Sequence, residues 1–404
     1  MGIVVVSAID EEAPGRLLTL QFTSLLAAHG VFGMAYSTYM LFPKYLQVEF
    51  AADSTTIGIM AGVPWLALVL STPFTGPLVD RVGRRRFTFT GAILLAIGCA
   101  MLARIQTIGV EMLIARTLQG LGFSFFLVAA GALTVDLAPA RRLSQALGWF
   151  GGTMIVTQAV SPAIAEPWAE ASGWPTVFWV TCGGAILSAL LTTLIGPGRK
   201  LQSGERTSFL SVLGAAPLRP IWIVMALAGI LFGASITFSI PWALDSGLQN
   251  VSSFFVSYAL AAAVIRFLLG SLADRAGRLR VAIGSMVLYS LSPLALVDVA
   301  AVGLVIPGIG FGIAHGLFYP ALNAVAIDRS DEHVRGTVMA SFNGSFNVGF
   351  SLGSVGLGVV VAAIGYPRMF AGCTLVGAWA LGLLILMARR QRSQKSGPVT
   401  QVIS

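Results

Sequence analysis

The sequence predicts an all-α membrane protein in which twelve transmembrane helices form two pseudo-symmetric six-helix bundles. Three observations predict this class. The composition is too apolar for a water-soluble surface, the basic residues are distributed one-sidedly, and an eleven-residue segment recurs 194 positions later.

Hydrophobic side chains make up 56% of the 404 residues and charged ones only 10%, with a mean hydropathy of +0.84. Soluble domains carry about 25% charged residues, so this chain cannot coat a globule with polar groups. Many apolar runs exceed the roughly 18 residues that cross bilayer hydrocarbon, and the short alternating segments of a membrane barrel are missing. Read between charged or Pro/Gly-rich breaks, the spans fall near 18–43, 54–78, 86–105, 108–133, 143–166, 174–196, 219–244, 251–272, 280–298, 300–326, 336–361 and 366–388. The longest polar break is a central loop at 197–218. It separates an N-terminal six-helix bundle, 1–196, from a C-terminal one, 219–390, with a tail at 391–404.

The net charge of +8 does not form a nucleic-acid surface, because the basic residues sit in short loops beside apolar runs. They read as an orientation signal. Of the 25 Lys and Arg, only Lys44, Arg104 and Arg368 fall on one side, and only Arg116 and Arg266 lie within spans. The asymmetry places both termini and the central loop in the cytoplasm of a bacterial inner membrane. An odd number of spans would break the alternation. Residues 1–16 carry Asp10, Glu11 and Glu12 rather than a basic leader region, so the first span is expected to direct insertion. Cys99, Cys182 and Cys373 lie in apolar segments without metal or disulfide spacing. No nucleophile–base pair, phosphate loop or metal cluster is visible. The chain reads as a monomeric non-enzyme with no cofactor, no metal and no nucleic-acid partner. Its expected partners are the bilayer, a small molecule and a proton.

The repeat is the most informative motif. GPLVDRVGRRR runs from Gly76 to Arg86, and GSLADRAGRLR from Gly270 to Arg280, with seven identities in eleven positions. The shared frame is Gly76/Gly270, Leu78/Leu272, Asp80/Asp274, Arg81/Arg275, Gly83/Gly277, Arg84/Arg278 and Arg86/Arg280. Because it follows the second span of each half, it marks duplicated six-helix units. Gly76 and Gly270 allow a second helix to come close. Asp80 and Asp274 put a carboxylate at the membrane surface, where it can pair with arginine or a helix N-terminus. The starts of spans 5 and 11 lie on the same side and are the expected partners. A charge pair at a seam that opens and closes can bias one conformation.

With twelve spans and the central loop, this frame resembles the major facilitator superfamily over residues 17–390. The resemblance implies an alternating-access transporter in which these loop residues form an inter-half gate and spans 1, 4, 7 and 10 line a central cavity. In span 4, Arg116-Thr117-Leu118-Gln119-Gly120-Leu121-Gly122 is similar to the family's Arg-x-x-Gln-Gly-x-Gly element of proton-coupled members. In span 5, Ser161-Pro162-Ala163-Ile164-Ala165-Glu166 keeps the proline of the family's antiporter motif and lacks its glycines. Spans 10 and 11, from Gly308 onward, resemble the bacterial drug and sugar efflux permeases.

Polar residues within the spans are the candidate site. Arg116 is expected to serve proton coupling or substrate binding, since a buried arginine is costly unless paired, snorkelling or facing water. His29 and His315 either relay protons and bond substrate, because imidazole titrates near neutrality, or are neutral and bonded to a neighbouring carbonyl. Gln119, Asn323, Asn343 and Asn347 are cavity candidates, the last two sharing a helix face. Trp168, Trp174 and Trp242 read as interfacial anchors, and Arg266 as snorkelling or gate-adjacent. No Asp or Glu occupies mid-span, so any coupled proton would ride on a histidine or on an end-of-span carboxylate, Asp136, Glu166, Asp245 or Asp298. The leading functional expectation is proton-coupled efflux of a small amphipathic or apolar compound. The alternatives are uptake or facilitated transport of a small organic anion, and a non-transporting receptor of transporter fold.

Overall fold

The computed structural model describes residues 17–198, 209–269, 272–331 and 334–395. In hydrocarbon the backbone has no water to bond, so a spanning chain must close its hydrogen bonds within helices or a barrel. The described residues take the first solution: they contain helices and no strand. Twelve long helical segments follow one another. They are α1 (Leu20–Phe50), α2 (Ser54–Val82), α3 (Arg84–Leu102), α4 (Val110–Leu137), α5 (Leu143–Ser172), α6 (Trp174–Thr193), α7 (Arg219–Asp245) and α8 (Ser252–Leu269). After them come α9 (Arg278–Leu296), α10 (Val305–Asp328), α11 (Arg335–Ile364) and α12 (Tyr366–Lys395). Ten of these are long and apolar enough to cross a bilayer, and α8 carries a shorter apolar stretch, Ser252–Arg266. With α5, 30 residues long, they are consistent with the twelve spans expected from sequence. A short helix, Phe209–Gly214, precedes α7.

The repeated segment explains two sharp corners. Gly83 ends α2 and opens α3 at φ 112°, and Gly277 opens α9 at φ 97°. These backbone angles suit glycine alone without strain, so the second glycine of the frame is a turn residue. Asp53 caps α2, its Oδ1 accepting the Thr56 N–H at 2.7 Å.

Within the N-terminal half, α3 packs on α4 and α6, and α1 on α5 and α6; within the C-terminal half, α10 packs on α8 and α9, and α7 on α11 and α12. The halves meet through α2 against α11 and α5 against α8. Large apolar side chains such as Leu70, Leu190, Leu268 and Leu375 are exposed, as a lipid-facing surface requires. Two tryptophans depart from the sequence expectation. Trp174 is buried against Tyr45 and Phe178, and the Trp242 Nε1–H donates to the Leu296 carbonyl at 2.8 Å. Both have partners inside the bundle, whereas Trp168 stays exposed.

The two ends of the molecule differ. At the face opposite the arginine-rich loops, Ser54 Oγ donates to the Gly358 carbonyl at 3.0 Å and Ser351 Oγ to the Gly62 carbonyl at 3.2 Å, tying α2 to α11. Toward the basic face, the same inter-half helices leave Gly76 of α2, Gly148, Gly151 and Gly152 of α5, and Gly336 and Gly344 of α11 beside open space. The hydrogen bonds between the halves among the described residues thus gather at the face opposite the arginines.

Candidate functional site

Beneath the clasped face lies a narrow cavity of about 90 Å³ on the seam between the halves. Tyr36, Tyr39, Met40 and Pro43 reach it from α1, where a 3-10 turn at Thr38–Leu41 interrupts the helix just before Pro43. The break has a local cause, since proline supplies no N–H to continue the ladder. Trp65 of α2, Arg116 and Phe123 of α4, and Gln158 of α5 complete the N-terminal wall; Phe232 and Thr237 of α7 and Phe350 of α11 close the other side. Three of the four helices expected to line the cavity do so. No α10 residue lines it in this conformation; α10 stands behind Phe232, whose ring lies 5.0 Å from that of His315. No Asp or Glu lines the cavity among the described residues.

Arg116 is its only cationic lining residue, and it is buried. Its Nε donates to the Met60 carbonyl at 3.0 Å and its Nη1 to Gln119 Oε1 at 2.6 Å. The guanidinium sits 4.2 Å from the Phe42 ring centroid and 5.7 Å from that of Tyr39, distances at which an aromatic face attracts a cation. Gln119, three residues on, is thus a helix-face partner, which explains the Arg-x-x-Gln spacing. The following glycines set the depth. A Cβ at Gly120 would fall 2.2 Å from the Pro64 carbonyl oxygen, and one at Gly122 would fall 2.7 Å from that of Gly91. Only without side chains there can α4 approach α2 and α3 closely enough to bring Arg116 to the Met60 carbonyl. Gly120→Ala is therefore expected to destabilise the N-terminal half by about 1–3 kcal/mol through overpacking, read as a lower Tm in detergent. An unchanged Tm would mean that α2 and α4 can separate without cost.

His29 and His315 are buried. His29 on α1 is stacked between Phe150, at 3.9 Å, and Phe126, at 6.0 Å. Neither of its ring nitrogens finds a partner at hydrogen-bonding geometry, although the Phe150 main chain is close by. His315 on α10 lies 3.4 Å from Tyr289 Oη through Nδ1, within a ring of Phe232, Tyr258, Tyr319 and Phe346. Neither lines the cavity in this conformation. Asn343 accepts from the Tyr319 hydroxyl, linking α11 to α10. Asn323 Oδ1 is buried without a partner, as is Arg266 Nε, and Asn347 is half-buried on α11.

At the basic face, the repeated segments make matching ion pairs. Arg84 pairs with Asp136 at the end of α4, and Arg278 with Asp328 at the end of α10. Each of these two pairs joins elements of one half. Arg81 and Arg275 are exposed. Gly270 lies outside the described residues, and Asp80 and Asp274 are described only in their helical backbone. The aspartate partners were legible in principle: Asp136 and Asp328 stand 192 positions apart, near the repeat offset.

Sequence reasoning did not find the cluster at the opposite face. The buried Lys44 Nζ donates to Glu166 Oε1 and Glu170 Oε1, both at 2.7 Å. The Glu166 carboxylate also accepts from the Val251 N–H at 2.9 Å and the Ser252 N–H at 2.7 Å. Those amides open α8, so a carboxylate of the N-terminal half caps a helix of the C-terminal half, where the dipole favours an anion. Gln47 Nε2 adds a 2.6 Å bond to Asp245 Oδ1 across the same seam. The available signal was rarity: Lys44 and Glu166 are among the few charged residues near that face.

Comparison with known proteins places this geometry. The family model described as Major Facilitator Superfamily matches residues 25–256 and 246–403. An uncharacterized MFS-type transporter of Salmonella typhimurium is 24% identical over 371 residues, covering 86% of this chain and 91% of its own length. The chromaffin granule amine transporter of Rattus norvegicus is 28% identical over 352 residues, covering 79% of this chain; the chain spans 63% of that transporter's length. Among solved structures, the nucleoside transporter NupG superposes with a TM-score of 0.76 at 16% identity, covering 91% of this chain and all of that one. A POT family transporter gives 0.75 at 14% identity, covering 93% and 96%.

Proposed function

Since the chain belongs to the major facilitator superfamily, we propose that it exports a small amphipathic compound by alternating access, driven by proton entry. The observation that carries this reading is the cavity on the seam, with the hydrogen bonds between the halves gathered at one face. Alternating access needs two such states of opposite polarity, and a ligand moves the population between them by binding one better. The one-sided arginines support a cytoplasmic basic face, which makes this conformation inward-facing.

The lining bears on the substrate. It is aromatic and aliphatic, with Arg116 as the lone charge and Gln158 and Thr237 as neutral polar groups. A cation such as an amine, which the name of the rat relative implies for that protein, would need an anionic partner, and no described lining residue supplies one. Neutral amphipathic compounds fit this wall. Drug-sized ligand pockets span about 300–1,000 Å³, so substrate entry must widen the present cavity by moving the halves.

One observation favours a second reading, transport of a small organic anion. Arg116 Nε and Nη1 are bonded, whereas Nη2 has no hydrogen-bond partner and is not among the sealed, unsatisfied atoms. On a side chain that lines the cavity it is an available donor, suited to a carboxylate. For the proton, mid-span carboxylates are missing, and His29 and His315 are the titratable candidates that sit deep.

Purified protein in proteoliposomes, given a panel of neutral, anionic and cationic amphipathic compounds with and without a pH gradient, tests the reading. Gradient-dependent flux of neutral or anionic members is expected. Flux confined to cations would overturn the substrate class, and flux indifferent to the gradient would remove proton coupling.

A further inference from the structure

The two matching ion pairs at the basic face are not equally covered. The Arg84 and Asp136 side chains are 6% and 10% exposed, whereas those of Arg278 and Asp328 are 36% and 56% exposed. The open pair borders a cavity of about 650 Å³ between the start of α9 and the ends of α10 and α12. Among the described residues its rim carries Arg275, Arg278, Arg280 and Arg329 against one carboxylate, Asp328, while Leu279, Ile283 and Val325 give it an apolar floor. A second cavity of about 500 Å³ shares Arg329 and Gln391 and contributes Arg390, Pro220 and Met387.

Arg275, Arg280 and Arg329 make no ion pair among the described residues. Arg329 reaches only the Pro217 carbonyl, at 3.5 Å. Burial lowers its pKa from the usual guanidinium value. The positive-inside rule accounts for arginines in loops but not for their convergence on a hollow with an apolar floor. Guanidinium groups pair with phosphate oxygens through parallel N–H bonds, and basic pockets between helices at the cytoplasmic surface suit anionic headgroups.

We propose that this cavity holds the phosphate of an anionic phospholipid from the cytoplasmic leaflet, with the glycerol and first acyl carbons on the apolar floor. The assignment rests on the reading that the basic face is cytoplasmic. A free phosphate offers the same acceptor oxygens but would leave Leu279, Ile283 and Val325 wet, so the lipid is the better complement.

The test uses the full chain in nanodiscs of mixed phosphatidylglycerol and phosphatidylcholine, followed by native mass spectrometry of the released protein. The parent is expected to retain phosphatidylglycerol and not phosphatidylcholine. The triple variant Arg275→Gln/Arg280→Gln/Arg329→Gln should bind it roughly 100-fold more weakly, each arginine near an anionic surface contributing about a factor of five. Arg86→Gln/Arg141→Gln/Arg142→Gln, which removes equal charge from exposed positions of the other half, should bind like the parent. Equal loss in both triples would reduce the effect to net charge and overturn the site, as would displacement of the lipid by millimolar inorganic phosphate. If the triple variant fails to insert, Arg329→Gln alone carries the comparison, and parental retention in it overturns the proposal. A cysteine at Gly204 in a cysteine-free background, labelled from the cytoplasmic side only, separates failure of the topology from failure of the site.

Discussion

Replacing Glu166 with Gln is expected to open the face that is closed in this structure. Spin labels at the exposed Val48 and Asn250 should move from one short distance in the parent to a population with a longer one. Glu166 is the only described side chain that accepts from the α8 N-terminus while holding a lysine of its own half. Gln keeps the shape and one acceptor oxygen but loses the charge that strengthens three of these bonds. Hydrogen bonds to charged groups contribute about 1.5–3 kcal/mol, and breaking a buried pair costs more when the other charge is stranded. Here Glu170 keeps Lys44 paired, so the lower range applies, and the ratio of the two states should shift by roughly 10- to 150-fold. Glu170→Gln should do much less, because Glu170 is 58% exposed and exposed pairs contribute about 0–1 kcal/mol. An unchanged distance distribution in Glu166→Gln would show that α2 and α11, not this cluster, hold the face shut.

Arg116→Ala is expected to reduce gradient-driven flux at least about 100-fold for whichever panel compound the parent carries. The loss has two sources. The cavity loses the one charge among its described lining residues, and the Met60 carbonyl and Gln119 amide lose their shared partner, each unsatisfied group costing about 1–3 kcal/mol. Arg116→Lys should recover only part of the flux. A lysine is a point charge on a flexible stem and cannot hold two acceptors while lying flat on Phe42. The variants should insert normally, since the close contacts of α4 depend on Gly120 and Gly122. Parental flux in Arg116→Lys would reduce the residue to a generic charge, and parental flux in Arg116→Ala would remove it from the mechanism.

What the sequence by itself determined is what is local or periodic: twelve apolar stretches, the break between halves, the duplicated Gly-x-Leu-x-Asp-Arg-x-Gly-Arg frame, and an arginine followed three residues later by a glutamine. Bilayer thickness sets the length of a span, and backbone satisfaction forces it to be helical, so these features need no knowledge of neighbours. The Arg116–Gln119 contact is legible for the same reason, being a single turn of one helix. Partners far apart in sequence were not legible. Lys44 meets Glu166 across 122 positions, and Glu166 meets Ser252 across 86. Nothing in an apolar run announces which turn of which helix will face it. Burial was equally hidden: Trp174 has the composition of an interfacial anchor and sits inside the bundle, and His29 and His315 turn away from the cavity into aromatic clusters. Only the tertiary structure decided which polar groups share a seam, because helices of similar apolarity are sorted by close side-chain packing and by the few hydrogen bonds between them.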